Sequence, residues 1–95
     1  MAEDGVVIAR VVTIVNTKGL HARASAKFVQ TAAKFNAAVT VQKDSNAVSG
    51  TSIMGLMMLG AGIGSELSLI SRGAQALEAI DALQALVETK FGEDS

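Results

Sequence analysis

The chain contains no cysteine, no proline, no tryptophan and no tyrosine, and its 95 residues include a single histidine. Without cysteine it can form neither a disulfide framework nor a catalytic thiolate. The usual zinc sites need several cysteine or histidine ligands, so one histidine excludes them as well. We therefore expect no metal site and no cofactor.

A strong charge of either sign is also missing, because the formal net charge is −1. A chain this close to neutral has no general attraction to nucleic acid. The charges are nevertheless divided unevenly, with +3 on residues 1–50 and −4 on residues 51–95. Since the basic excess includes Lys18, Arg23 and Lys27, we expect a partner protein with an acidic docking surface, whose attraction weakens as salt is added.

Long hydrophobic runs are absent too. The longest segment without a polar side chain, residues 53–64, has 12 residues, whereas a membrane-spanning helix needs about 18 or more. The N-terminal residues 1–4 include acids where an export signal would carry bases. The sequence therefore predicts no membrane insertion and a cytoplasmic location.

What is present favours a globular protein. The composition is 49% hydrophobic and 18% charged, and the length allows one domain over residues 1–95. Hydrophobic spacing predicts elements in the order β-α-β-β-α-β-α, and strands that alternate with one-sided helices indicate a two-layer α+β fold. The predicted elements are a strand over 6–15, a helix over 22–35, a hairpin over 38–49, a helix over 53–59, a strand over 65–71 and a helix over 74–91.

Two of the predicted helices should supply much of the core. Phe28 and Phe35 recur on one face of the first helix, so we expect both rings to anchor the core. Residues 92–95 follow the last helix and are expected to fray. The predicted core face of the last helix consists of Ala76, Ile80, Leu83 and Val87.

The segment 17–25 is the candidate site. His21 follows the turn residue Gly19 and lies at the start of the first predicted helix, with Arg23 in the first turn. Unpaired N–H groups at a helix start favour a bound anion, a neutral imidazole is a nucleophile, and an arginine can hold a phosphoryl group. The pattern indicates a histidine that accepts a phosphoryl group and passes it on. The alternative is a half-exposed helix cap beside an ordinary solvated basic face.

Two motifs resemble those of HPr, the histidine-containing phosphocarrier family of the phosphoenolpyruvate-dependent phosphotransferase system. Gly-Leu-His-Ala-Arg at 19–23 resembles the family's active-site signature. Ser-Ile-Met-Gly-Leu-Met at 52–57, with Leu-Gly at 59–60, is similar to its regulatory-serine segment. The two motifs, their separation and the order of elements extend over nearly the whole chain.

The resemblance implies a fold and a site. The implied fold is an open-faced sandwich, with a four-stranded antiparallel sheet and three helices on one face. His21 would take a phosphoryl group on Nδ1 from phosphorylated enzyme I and give it to an EIIA-type acceptor, as a carrier rather than a stand-alone catalyst. Arg23 would stabilise the phosphoryl charge, together with the backbone N–H groups of Ala22 and Arg23. We expect a monomer.

Ser52 is a candidate regulatory site. Its residue type and position before a predicted helix favour an N-cap, and the resemblance makes it the target of an HPr kinase/phosphorylase. A phosphate would add about −1.5 to −2 charges beside an apolar docking surface. Of the methionines at 54, 57 and 58, we expect one or two to pack in the core and the rest to form an adaptable contact surface. The predicted docking residues are Leu20, Ala24, Lys27, Ile53, Met54 and Met57.

The chain departs from the family pattern at Ala24, where the family usually has proline. Proline in a first turn fixes φ, so alanine keeps the helix but loosens its start. A second interpretation of the whole chain is a regulatory binding module that relays no phosphate. In that case His21 is only a cap, and Ile53, Met54 and Met57 contact the partner proteins.

Overall fold

The computed structural model describes residues 6–95, so the acidic start at residues 1–4 lies outside the described residues. The elements follow the predicted order. They are β1 (Val7–Thr13), α1 (Ala22–Ala32), β2 (Ala38–Lys43), β3 (Asn46–Ser49), α2 (Ile53–Met58), β4 (Glu66–Arg72) and α3 (Ala76–Glu88), followed by a 3₁₀ turn at Lys90–Gly92.

The four strands form one antiparallel sheet in the order β1-β4-β2-β3. Strand β4 lies between β1 and β2 and pairs with both, for example Ser68 opposite Val11 and Leu69 opposite Val41. The three helices cover one face of this sheet, where Val41 and Leu69 are fully buried. The predicted α+β sandwich is therefore confirmed.

Helices α1 and α3 supply the core from the other layer. All four residues of the predicted core face of α3 are fully buried, and Phe28 of α1 is too. Phe35 is only partly buried at the margin of the core. The reason is that α1 ends at Ala32 rather than at residue 35, because the Phe35 N–H donates to the Ala32 carbonyl in a turn.

The C-terminal segment differs most from the prediction. Helix α3 ends at Glu88, and Lys90, Phe91 and Gly92 all have positive φ, at 60°, 55° and 79°. This left-handed turn reverses the chain and buries the Phe91 ring completely in the core. Residues 92–95, for which the sequence predicts fraying, make defined contacts in the structure, since the Thr17 N–H donates to the Ser95 carbonyl at 3.1 Å.

No helix within residues 6–95 is both long enough and apolar enough to cross a membrane.

Phe91→Ala should lower the free energy of unfolding by about 3–5 kcal/mol, because it removes a fully buried ring from the core. Urea denaturation measures the loss. Leu77→Ala is the matched control, since Leu77 lies on α3 but is 49% exposed, and its effect should be clearly smaller. Equal effects of the two substitutions would show that the terminal turn is not part of the folded core.

Candidate functional site

The loop before α1 is shaped by Asn16 and Gly19. Asn16 is fully buried, and its Nδ2 donates to the Gly19 carbonyl at 3.0 Å. Gly19 has φ +63°, and a Cβ there would lie 2.3 Å from the Ala61 carbonyl oxygen. Only glycine can lie this close to the Ala61 backbone. The next residue, Leu20, donates its N–H to the same carbonyl oxygen at 3.0 Å. The loop is thereby fixed against the segment at Ala61.

His21 is the N-cap residue of α1, as the sequence predicts. Its backbone is extended, with φ −71° and ψ 178°, and its carbonyl accepts from the Ser25 N–H at 2.9 Å. Within residues 6–95, the N–H groups of Ala22, Arg23 and Ala24 have no hydrogen-bond acceptor. Such N–H groups at a helix start are suited to bind an anion. The imidazole lies beside them and is 26% exposed.

The imidazole has a partner that the sequence did not reveal. Its Nε2 lies 2.5 Å from Glu93 Oε2, and Glu93 Oε1 accepts from Asn16 Nδ2 at 3.0 Å. The hydrogen bond with His21 lowers the pKa of Glu93, the bond from Asn16 lowers it further, and the nearby Lys18 adds a smaller effect. Glu93 is therefore an ionised carboxylate at neutral pH.

An open cleft surrounds the imidazole. Its basic side comes from the loop and α1, with Lys18, Arg23 and Lys27, and its other side comes from residues 92–95. Lys27 Nζ donates to the Phe91 carbonyl at 2.7 Å, which ties α1 to the terminal turn. In the described part of the chain, Lys18 and Arg23 form no ion pair. These two cations are thus available to an anion in the cleft.

Ser52 is the N-cap of α2, as predicted, because its Oγ accepts from the Gly55 N–H at 2.9 Å. Helix α2 packs against α1, so its exposed face is next to the helix that carries the cleft. Leu56 is the residue of α2 that is fully buried. The exposed residues of α2 are Ile53, Met54, Met57 and Met58.

Two of the predictions about this surface are wrong. None of the three methionines packs in the core, because a helix as short as α2 turns only Leu56 fully inward. Leu20 and Ala24 are 5% and 0% exposed, so they do not lie on a docking surface. Leu20 follows the Gly19 turn into the core, and Ala24 lies on the inner face of α1.

Comparisons with known proteins agree with this geometry. A family profile described as the phosphorylation site of the PTS HPr component matches residues 8–89. Phosphocarrier protein HPr of Cupriavidus necator is 51% identical over 81 residues, which cover 85% of this chain and 91% of that protein. Phosphocarrier protein NPr of Shewanella violacea is 43% identical over 86 residues, which cover 90% of this chain and 94% of that protein.

A solved structure of HPr from Thermoanaerobacter tengcongensis matches with a TM-score of 0.88 at 45% identity. The match covers 93% of this chain and 99% of the other. The family profile includes the positions of His21, Arg23 and Ser52 and ends before Glu93. The resemblance seen in the two sequence motifs is therefore confirmed.

Gly19→Ala should lower the free energy of unfolding by at least about 1 kcal/mol, because alanine at positive φ would also collide with the Ala61 backbone. Gly62→Ala is the matched control, since nothing lies within 4 Å of a Cβ at that position. It should leave stability unchanged or raise it by up to about 1 kcal/mol. Thermal and urea unfolding measure both variants, and a Gly19→Ala protein as stable as Gly62→Ala would contradict the close approach.

Proposed function

The chain belongs to the HPr family of phosphocarrier proteins of the phosphotransferase system, and we propose that His21 is the residue that carries the phosphoryl group. The group arrives from phosphorylated enzyme I and leaves to an EIIA-type acceptor. One observation supports this role above the others: the histidine of the family motif lies partly exposed in a basic cleft, beside unpaired N–H groups at the start of α1.

The chemistry needs a nucleophile that is also a good leaving group. The Nδ1 lone pair of His21 attacks phosphorus, and the bond between phosphorus and the donor nitrogen breaks with its electron pair going to the donor. The transferring group carries negative charge on its oxygens, which Arg23 and the N–H groups of Ala22 and Arg23 stabilise. The phosphoramidate that forms is reactive enough to be passed on.

Partner docking uses two kinds of contact around the cleft. Lys18, Arg23 and Lys27 supply a positive rim that attracts an acidic partner surface and speeds association at low salt. The exposed Ile53, Met54 and Met57 supply an adjacent apolar surface that adapts to different partners. In this proposal the protein acts as a monomer and as one domain.

Regulation acts through Ser52 on that apolar surface. Ser52 is half-buried at the start of α2, directly before the exposed Ile53 and Met54. Phosphorylation by an HPr kinase/phosphorylase would place about −1.5 to −2 charges there. Because the partners are expected to be acidic, the new charge would oppose docking by repulsion and by the cost of desolvation.

The carrier role predicts that enzyme I and labelled phosphoenolpyruvate place an acid-labile label on this protein. His21→Ala should abolish the label, because no other imidazole is present. Arg23→Ala should slow labelling by roughly tenfold or more, since one charged donor to the phosphoryl group is lost. Ser52→Ala is the control and should be labelled like the wild type. An unlabelled wild-type protein with active enzyme I would instead favour the non-relaying binding module.

The regulatory role predicts an acid-stable label when an HPr kinase/phosphorylase and ATP are supplied. Ser52→Ala should lose the label, whereas Thr51→Ala, which removes the neighbouring hydroxyl, should keep it. The Ser52-phosphorylated protein should then accept a phosphoryl group from enzyme I more slowly than the unmodified protein. A label that persists in Ser52→Ala, or no label from an active kinase, would contradict regulation at this residue.

A further inference from the structure

We infer that Glu93 is a positioning residue for phosphoryl transfer, because its carboxylate keeps the proton of His21 on Nε2 and stabilises the positive ring that forms with the N–P bond. The inference rests on the proposed function. It concerns a residue beyond the range that the family profile matches, 8–89.

The carboxylate is held by two separate donors. Oε2 lies 2.5 Å from His21 Nε2, and Oε1 accepts from Asn16 Nδ2 at 3.0 Å. Asn16 is fully buried and Glu93 is only 16% exposed at its side chain. Each oxygen therefore has its own partner, and the plane of the carboxylate is fixed relative to the imidazole.

The backbone around Glu93 is anchored as well. The Glu93 N–H donates to the Lys90 carbonyl at 2.9 Å, and the Phe91 ring is fully buried in the core. Lys27 Nζ donates to the Phe91 carbonyl, and the Thr17 N–H donates to the Ser95 carbonyl. The carboxylate is therefore part of a folded turn that contacts both α1 and the loop before it.

This arrangement selects one tautomer of His21. An ionised carboxylate can only accept hydrogen bonds, so Nε2 must supply the proton of the short contact. The lowered pKa of Glu93 keeps the carboxylate ionised at neutral pH. In the neutral ring the remaining lone pair is then on Nδ1, the nitrogen that must attack phosphorus.

The carboxylate also acts during the transfer. When Nδ1 bonds to phosphorus and the donor bond breaks, Nε2 keeps its proton and the ring of His21 becomes a cation. Glu93 stabilises that cation as the carboxylate of a Ser-His-Asp triad stabilises imidazolium. When the acceptor takes the group, the ring leaves as neutral imidazole with the same Nε2 proton. Neither direction requires a proton to enter or leave.

Other charged side chains in the cleft also affect how strongly it attracts a phosphoryl group. Glu93 and Asp94 both line the cleft and would repel an arriving phosphoryl group. Lys18, Arg23 and Lys27 line the same cleft, and their positive charges offset that repulsion. Glu93 differs from Asp94 in its contact with the imidazole, since Asp94 makes no side-chain hydrogen bond within residues 6–95.

The test compares wild type with Glu93→Gln, which keeps the shape but removes the charge, and with Asp94→Asn as the matched control. The single histidine gives an unambiguous ring signal in ¹H–¹⁵N NMR. In Glu93→Gln the fraction of the neutral ring that carries its proton on Nε2 should fall, because an amide side chain can donate to Nε2 as well as accept from it. The ¹⁵N chemical shifts of the two ring nitrogens measure that fraction. Asp94→Asn should leave it nearly unchanged.

Labelling kinetics with enzyme I supply the second measurement. Glu93→Gln should reduce kcat by roughly tenfold with little change in KM, because the carboxylate acts on the ring and not on docking. Glu93→Ala should lose at least as much, and urea denaturation checks that both variants are folded. A labelled wild type, with the Nε2-protonated fraction and kcat both unchanged in Glu93→Gln, would overturn this inference alone. A wild type that takes no label would overturn the proposed function and this inference with it.

Discussion

The side-chain amide of Asn16 joins the two chain segments from which the cleft is built. Its Nδ2 donates to the Gly19 carbonyl in the loop before α1 and to Glu93 Oε1 in the segment after α3, each at 3.0 Å. An amide has two N–H hydrogens, so both bonds can form at once. Because Asn16 is fully buried, water cannot readily replace either bond. Asn16 therefore links the loop that precedes His21 to the carboxylate that contacts its ring.

The fold supplies the rest of the geometry. The sheet places the end of β1 and the start of α1 at the same end of the molecule as the end of α3. The buried Phe91 closes that end, and the left-handed turn at Lys90–Gly92 sends Glu93 towards the imidazole. The site is thus composed of residues far apart in sequence, with Asn16 and Glu93 separated by 77 positions.

Much of the fold and half of the site could be predicted from the sequence, because both depend on local sequence patterns. Apolar spacing predicts the face of α3 at Ile80 and Leu83, and a serine before an apolar run predicts the cap at Ser52. His21 and Arg23 stand out through a short motif at a helix start. The exposure of Met54 could not be predicted, since the inward face of α2 depends on where α1 packs. The place of Glu93 at the site could not be predicted, since only Gly92 indicates the turn, while Lys90 and Phe91 adopt positive φ without a local sequence signal.

The central claim is that Nδ1 of His21 is the atom that carries the phosphoryl group. The most direct measurement is ¹H–¹⁵N and ³¹P NMR of the protein after phosphorylation by enzyme I, with the histidine ring labelled with ¹⁵N. The account predicts coupling of phosphorus to Nδ1, with the proton retained on Nε2. Coupling of phosphorus to Nε2, or a phosphoryl group on any other residue, would contradict it.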